Sequence, residues 1–139
     1  SEESERRLAK ASARLVYTFA NATVPKVNVI AGKAYGSAGV VMNSKSVGAD
    51  MVYAWPEAEI GMMDAELAAK IMYADETAQV QREKAEEYKN LQSSPVSAAR
   101  RGYVDTLIQP ENTRKYVIGA FEMLATKREE RPFKKHGTV

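Results

Sequence analysis

Between Lys33 and Gly39 the chain reads KAYGSAG, placing Gly36 and Gly39 on either side of Ser37 and Ala38, shortly after an apolar run from Val27 to Ile30. A strand that delivers small residues to a helix start leaves backbone N–H groups bare, with no side chain in the way. Such groups suit an oxyanion that develops during a reaction. Read from the residues alone, this is an anion-binding α/β segment whose amides, rather than the Ser37 hydroxyl, do the work.

Other chemistries fit less well. A nucleophile elbow needs Gly two residues before the serine, and Tyr35 stands there. Without that role, Ser37 reads as a helix cap at a tight turn. His136 is the only histidine and no cysteine is present, so a His-based zinc site would need carboxylate help. Gly32, Gly36 and Gly39 fit neither GxGxxG nor the P-loop pattern. Glu57, Glu59 and Asp64 have the chemistry of acid/base groups or metal ligands, but read more simply as caps and ion-pair partners. Met42, Met51, Met62, Met63 and Met72 read as core filling. No metal site is expected.

The elements that must position the Gly-rich turn follow from periodicity. Leu8, Ala11, Leu15 and Phe19 recur at helical spacing and predict a helix over 4–22. Lys26 to Ala31 and Asp50 to Trp55 predict strands, the second stopped by Pro56, and Glu59 to Met62 a short third one. Ser37 to Val47 predicts a helix between the first two strands. Asp64 is placed to cap a helix over 65–73, and a charged helix is expected over 76–91. Ser94-Pro95 opens another helix that ends at Gly102. Tyr103 to Ile108 predicts a strand or extended bend. Pro110 opens a last helix with Val117, Ala120, Phe121 and Leu124 on one face. Strand, crossover helix, strand argues for an α/β fold with mainly parallel strands flanked by helices. Two or three strands are few for a free-standing parallel sheet, so a piece of a larger α/β domain is expected, or one completed by a partner.

Composition narrows the function classes. A hydrophobic share of 45% allows a core, and a net charge of +2 gives no ground for nucleic-acid binding. The acidic stretch from Glu57 to Glu87 (net −6) and the basic stretch from Lys127 to Val139 (net +3) read as solvated surface. Absence of cysteine excludes disulfides and fits a reducing, cytoplasmic setting. No apolar run approaches the roughly 20 residues that span a bilayer, so no direct membrane insertion is expected. The start at Ser1, without Met and close to a helix, predicts a piece cut from a longer chain. One unit over 1–126 and a basic extended tail over 127–139 are expected.

Several motifs in fixed order carry a resemblance. They are VPKVNVI at 24–30, KAYGSAG at 33–39, GADMVYAWPEAEIGMM at 48–63, RGYVD at 101–105 and the ending KRE…KKHG at 127–137. Together they resemble the second half of the C-terminal domain of biotin-dependent acyl-CoA carboxyltransferases. The resemblance implies a partial ClpP/crotonase-like fold. It also implies transfer of a carboxyl group between biotin N1 and the α-carbon of an acyl-CoA, with carboxybiotin presented on a carrier protein. Backbone oxyanion holes do this work without a covalent protein intermediate. By the same resemblance Gly36, Ser37 and Ala38 form the hole for the biotin ureido oxygen, and Tyr35, Gly39 and Val40 line the substrate side. Many members have Gly at Ser37 and Tyr-Asp at Gly39-Val40, so the acyl group is not read from this motif. GMMDAELAAKIMYADE at 61–76 looks closest to subunits from anaerobes, some of them in sodium-pumping decarboxylases.

The implied partners are the N-terminal carboxyltransferase portion, a biotin carboxyl carrier protein and further copies in a homo-oligomer. Because the family's active site forms between subunits, the isolated chain is expected to be inactive. The rival expectation is a non-catalytic assembly module that docks onto a larger carboxylase or decarboxylase complex. A crotonase-like hydratase would need Glu57 or Glu59 as acid/base groups.

Overall fold

The computed structural model describes residues 2–134, 136 and 137. Helix α1 spans Glu2–Asn21, with Glu2, Glu3 and Glu5 in its first turn, where negative charge suits the helix dipole. Exposed Arg6–Glu2 and Arg7–Glu3 pairs lie one turn apart along it. The expected apolar face is only half used. Leu8 is 69% exposed, and no α1 residue is fully buried. Partial cover falls mostly on its second half, at Ser12, Leu15, Val16, Tyr17, Phe19, Ala20 and Asn21.

Five short strands build two parallel sheets. Strands β1 (Val27–Ile30), β3 (Met51–Ala54) and β5 (Thr106–Leu107) pair in the order β1-β3-β5, with Val27 opposite Met51 and Tyr53 opposite Thr106. Strands β2 (Lys33–Tyr35) and β4 (Glu59–Gly61) form a second pair, Lys33 opposite Glu59. The chain passes from one sheet to the other twice, side by side. Trp55 N–H donates to the Ile30 carbonyl at 2.9 Å, and Glu59 N–H to the Gly32 carbonyl at 3.1 Å, so the two crossings stay in register. Strand β2 is absent from the sequence expectation. Three residues with a lysine among them carry no period of their own, and only pairing with β4 makes them a strand.

Central strand β3 is buried on both faces, as a parallel strand should be. Val52 and Ala54 join Ala49, Ala58, Ala98 and Val104 on one side. Tyr53 joins Ile108 and Ala120 on the other, with Val27, Val29, Met51 and Trp55 packed around them. Trp55 satisfies its ring N–H by donating to the Thr113 hydroxyl at 2.9 Å.

The expected helix over 37–47 breaks in two. Helix α2 is only Gly36–Val41, Asn43 adopts a left-handed φ of +58°, and one 3-10 turn follows at Lys45–Val47. Asn tolerates that conformation better than most residues, which makes it the natural break. Asp64 caps α3 (Ala65–Met72) by accepting from the N–H groups of Glu66 and Leu67. Thr77 caps α4 (Ala78–Tyr88), which widens into a π turn at Lys89–Ser93. Ser94 caps α5 (Pro95–Arg100), and Gly102 at φ +83° ends that segment. Pro110 opens a 3-10 turn before α6 (Thr113–Met123).

Several expected core residues lie outside. Met42, Met62 and Met72 are exposed, as is Phe121, while Val117 and Leu124 are half-buried and Ala120 is buried. Helix α3 buries Ala65, Ala68 and Ala69 and leaves Leu67, Ile71 and Met72 largely uncovered. Small residues face inward there because α4 packs closely against α3.

Residues 127–134 form no regular element, but Lys127 is not solvated surface. Its side chain is 13% exposed and bonds both Asp50 carboxylate oxygens at 2.9 Å. Among the described residues no helix is long and apolar enough to cross a membrane.

Candidate active site

Strand β2 runs directly into α2, and the junction is built for glycine. Gly36 sits at φ +53°, and a Cβ there would lie 3.0 Å from the Met62 carbonyl oxygen. A side chain would be strained by the backbone angle and crowded by β4's exit. Gly39, one turn on, lies against β2. A Cβ there would stand 3.0 Å from both C and O of Ala34. Gly39→Ala therefore pushes α2 off β2, and we expect a loss of about 1–3 kcal/mol in urea unfolding, with unchanged secondary structure.

The first N–H groups of a helix have no intrahelical carbonyl to bond. Among the described residues, none of the turn, loop and cap backbone bonds uses the N–H of Ser37 or Ala38, whereas Gly36 continues the β2–β4 pairing in which Tyr35 stands opposite Gly61. Tyr35 occupies the cap position and makes no side-chain cap bond. Ser37 therefore does not cap the helix, contrary to expectation. It lies inside the first turn with an exposed side chain, and among the described residues no carboxylate or imidazole accepts from its hydroxyl. His136 only offers its backbone carbonyl to the Tyr17 hydroxyl at 3.5 Å.

A cavity of about 270 Å3 opens beside this turn. Gly36, Gly39 and Val40 line it, with Ile30, Ala34, Val52, Ile60 and Ala98 supplying apolar walls. Polar groups also line it: Asn28, Ser44, Lys45, Gln92, Arg101 and Tyr103. The Gly-rich turn and the segment around RGYVD thus meet at one hollow, although more than sixty residues separate them in the chain.

Tyr35 departs from the expected substrate wall. Its hydroxyl donates to Glu59, the β4 residue that also pairs with Lys89 at 3.0 Å. Burial and then the hydrogen bond to Glu59 push the Tyr35 phenol well above its ordinary value. The bonds from Tyr35 and Lys89, reinforced by their charge environment, hold Glu59 below the usual carboxylate range despite burial. A carboxylate held ionised by two partners is a poor acid, and Glu59 ties β2 to β4 instead. Asp64 is engaged as the α3 cap and as a partner of Lys33 at 3.6 Å. Among the described residues, no group of three or more His, Asp or Glu side chains is arranged to hold a metal ion.

Asp105 carries weight that the sequence reading missed. Its N–H donates to the Val52 carbonyl at 2.8 Å, and its carboxylate accepts from the Val52 N–H at 2.8 Å. The side chain thereby replaces a ladder partner at the sheet edge. The same carboxylate holds Lys45 at 2.8 Å, so the Lys45 charge is neutralised at the cavity wall. The RGYVD motif contained this residue, but nothing local pointed to the bond with β3.

Parallel strands, a glycine junction at the start of α2 and an adjacent apolar hollow lie together at one end of the β2–β4 pair. Comparison with known proteins makes this specific. The whole chain, residues 1–139, matches the Carboxyl transferase domain, and the protein belongs to that family. The Methylmalonyl-CoA carboxyltransferase 12S subunit of Propionibacterium freudenreichii subsp. shermanii is 47% identical over 131 residues, which cover 90% of this chain and 25% of that protein. The Propionyl-CoA carboxylase beta chain of Saccharopolyspora erythraea is 45% identical over 137 residues, covering 91% and 25%. A crystal structure of transcarboxylase 12S, a hexamer with methylmalonyl-coenzyme A and methylmalonic acid bound, superposes with a TM-score of 0.91 at 44% identity, covering 99% of this chain and 27% of that one. The chain thus spans about a quarter of the length of these relatives. Its architecture is the crotonase-like α/β class expected from the motifs.

Proposed function

We propose that this chain carries the biotin-side half of an acyl-CoA carboxyltransferase active site. The observation that supports the reading best is the Gly36–Ala38 turn. The N–H groups of Ser37 and Ala38 enter none of the turn, loop and cap bonds, and Gly36 borders an apolar hollow large enough for a small ring or short acyl group. Biotin on a carrier protein supplies, when bound, a ureido nitrogen that gives or takes the carboxyl group and a carbonyl oxygen that gains negative charge as the carboxyl leaves. The residues fit that demand. The N–H groups of Ser37 and Ala38, in the turn that Gly36 opens, are donors fixed before reaction, and fixed donors lower the barrier without reorganising. Gly39 and Val40 shape the adjoining wall, and Val40 presents an apolar surface to the acyl side. No proton shuttle is required of the protein, in line with the engaged states of Glu59 and Asp64.

The acyl-CoA and the second oxyanion hole come from the N-terminal portion of the full subunit, whose partner on the other side is a biotin carboxyl carrier protein. The working assembly is a homo-oligomer in the cytoplasm, classed as a ligase when it runs inside a carboxylase. A second reading, an assembly module without catalysis, draws on the uncovered apolar side chains Leu67, Ile71 and Met72 of α3.

The deciding experiment is biotin-dependent decarboxylation of malonyl-CoA and methylmalonyl-CoA with free biotin. It is run on this chain alone and on a mixture with the N-terminal portion. We expect activity in the mixture only. An associated, folded mixture without activity overturns the enzyme reading and leaves the assembly module.

A further inference from the structure

The cavity beside the Gly-rich turn holds two cationic side chains, Lys45 and Arg101. Their charge states differ in consequence. Lys45 is spent on Asp105 at 2.8 Å and on the Asp50 carbonyl at 3.1 Å. Arg101 has no acidic partner among the described residues. One of its terminal nitrogens donates to the side-chain amide oxygen of Gln92, which also lines the cavity. A neutral acceptor orients the guanidinium without cancelling its charge. Most of its five donors stay without a protein partner. The backbone beneath it is fixed, since Arg101 N–H donates to the Ser97 carbonyl at 3.2 Å at the end of α5. Tyr103 also lines the cavity, and Arg101, Gln92 and Tyr103 are all exposed at its rim, while Ile30, Ala34, Val52, Ile60 and Ala98 supply apolar walls. A half-enclosed, mostly apolar hollow with one uncompensated guanidinium is complementary to a short apolar group that bears a carboxylate, which Arg can grip with two parallel bonds.

We propose that Arg101 is a specificity-determining residue that holds the free carboxylate of a carboxylated short-chain acyl group, a malonyl-type substrate, and that Gln92 positions it. This rests on the carboxyltransferase reading for the identity of the thioester, but not for the existence of a carboxylate site. Arg101 discriminates the carboxylated acyl group from its decarboxylated product, which lacks the anion.

The test compares two thioesters that differ by one carboxylate, S-methylmalonyl-N-acetylcysteamine and S-propionyl-N-acetylcysteamine. Each is titrated into the isotope-labelled 139-residue chain associated with the N-terminal portion of the subunit and followed by amide chemical shifts of this chain. The methylmalonyl probe is expected to bind about tenfold tighter, the scale of one charge-assisted contact, and to shift the Gly36, Gly39 and Arg101 signals. Arg101→Gln removes the preference while leaving the thermal midpoint and propionyl binding in place, and Arg101→Lys restores part of it. Added salt weakens the preference in the wild-type chain only. Equal binding of the two probes by the wild-type chain, no binding of either, or an unchanged preference in Arg101→Gln overturns the proposal. In the intact subunit, Arg101→Gln raises KM for methylmalonyl-CoA with little change in KM for propionyl-CoA. Loss of biotin-dependent transfer alongside a persisting Arg101-dependent preference sinks the carboxyltransferase reading and leaves the carboxylate site standing.

Discussion

Replacing Ala38 with Pro in the intact subunit is expected to cut kcat for biotin-dependent carboxyl transfer by about a hundredfold or more, the usual effect of deleting one oxyanion-hole donor. Proline has no N–H, and the first turn of a helix is where its ring is best tolerated. Ala38 is exposed, and none of the turn, loop and cap bonds uses its N–H. The substitution therefore removes a donor without removing a packing contact. Steady-state kinetics with methylmalonyl-CoA and free biotin measure the outcome. On the proposed division of the site, with the thioester held mainly by the N-terminal portion, KM for the acyl-CoA should change little. Proline also disfavours helical backbone at the residue before it, here Ser37, so the unfolding midpoint must be followed in parallel. Ser37→Ala is the companion variant. It keeps the amide, removes the hydroxyl, and should lose far less activity than Ala38→Pro. A full rate in Ala38→Pro would remove this turn from the mechanism. A large loss in Ser37→Ala with an intact fold would return the hydroxyl to it.

A second large effect, on stability, is expected at Asp50. Its carboxylate accepts from the Lys26 backbone N–H at 2.7 Å and from Lys127 Nζ at 2.9 Å. Lys127 also reaches the Val24 carbonyl at 3.2 Å and Glu129 at 3.3 Å. Nearby, Lys26 is 5% exposed and its Nζ donates to the Phe19 carbonyl near the end of α1 at 2.7 Å. Asp50 therefore joins the entry to β1 to the chain after α6, beside the Lys26–Phe19 bond that ties in the end of α1. Asp50→Ala leaves Lys26 and Lys127 facing each other without their shared anion. Removing one partner of a fully buried pair costs about 3–5 kcal/mol. Asp50 and Lys127 retain 20% and 13% side-chain exposure, so solvent screening lowers the expectation to about 2 kcal/mol. Urea unfolding of Asp50→Ala, Lys127→Met and the double variant gives the coupling directly. A loss under a few tenths of a kcal/mol in Asp50→Ala would mean the cluster is decorative.

The same group sets an acid dependence. Burial alone would raise the Asp50 value, but the bonds from Lys127 and the Lys26 N–H, with both positive charges, outweigh it and hold the carboxyl below its ordinary range. The native state thus binds the proton less readily than the unfolded chain. The stability is present above the unfolded value of about 4 and is lost as pH falls through the lower folded one. Unfolding free energy should decline below about pH 5, less steeply in Asp50→Ala than in the wild-type chain. Glu59, likewise held low by Tyr35 and Lys89, adds to the slope in both.

Local chemistry was legible in the sequence wherever neighbours in the chain decide it. Strands β1 and β3 follow from Val-rich runs, the caps at Asp64 and Ser94 from a side chain reaching two or three residues ahead, and the stop at Gly102 from its freedom at positive φ. The Gly-rich turn as a strand–helix junction was legible for the same reason, since small residues at such a boundary are a property of a few consecutive positions. Tertiary structure alone decided the rest. Strand β2 exists because β4 pairs with it, and Tyr35 turns to Glu59 because that pairing brings them together. Met42, Met62 and Phe121 are apolar yet exposed, since burial depends on what packs against a residue and not on its own type. The bonds from Asp50 to Lys127 and from Asp105 to Val52 join residues 77 and 53 positions apart. No period or spacing encodes such distances, because the energy of each contact appears only once the sheet has closed. Arg101 at the cavity rim is of the same kind: its charge was written in the sequence, and its lack of an acidic partner among the described residues was settled by the fold.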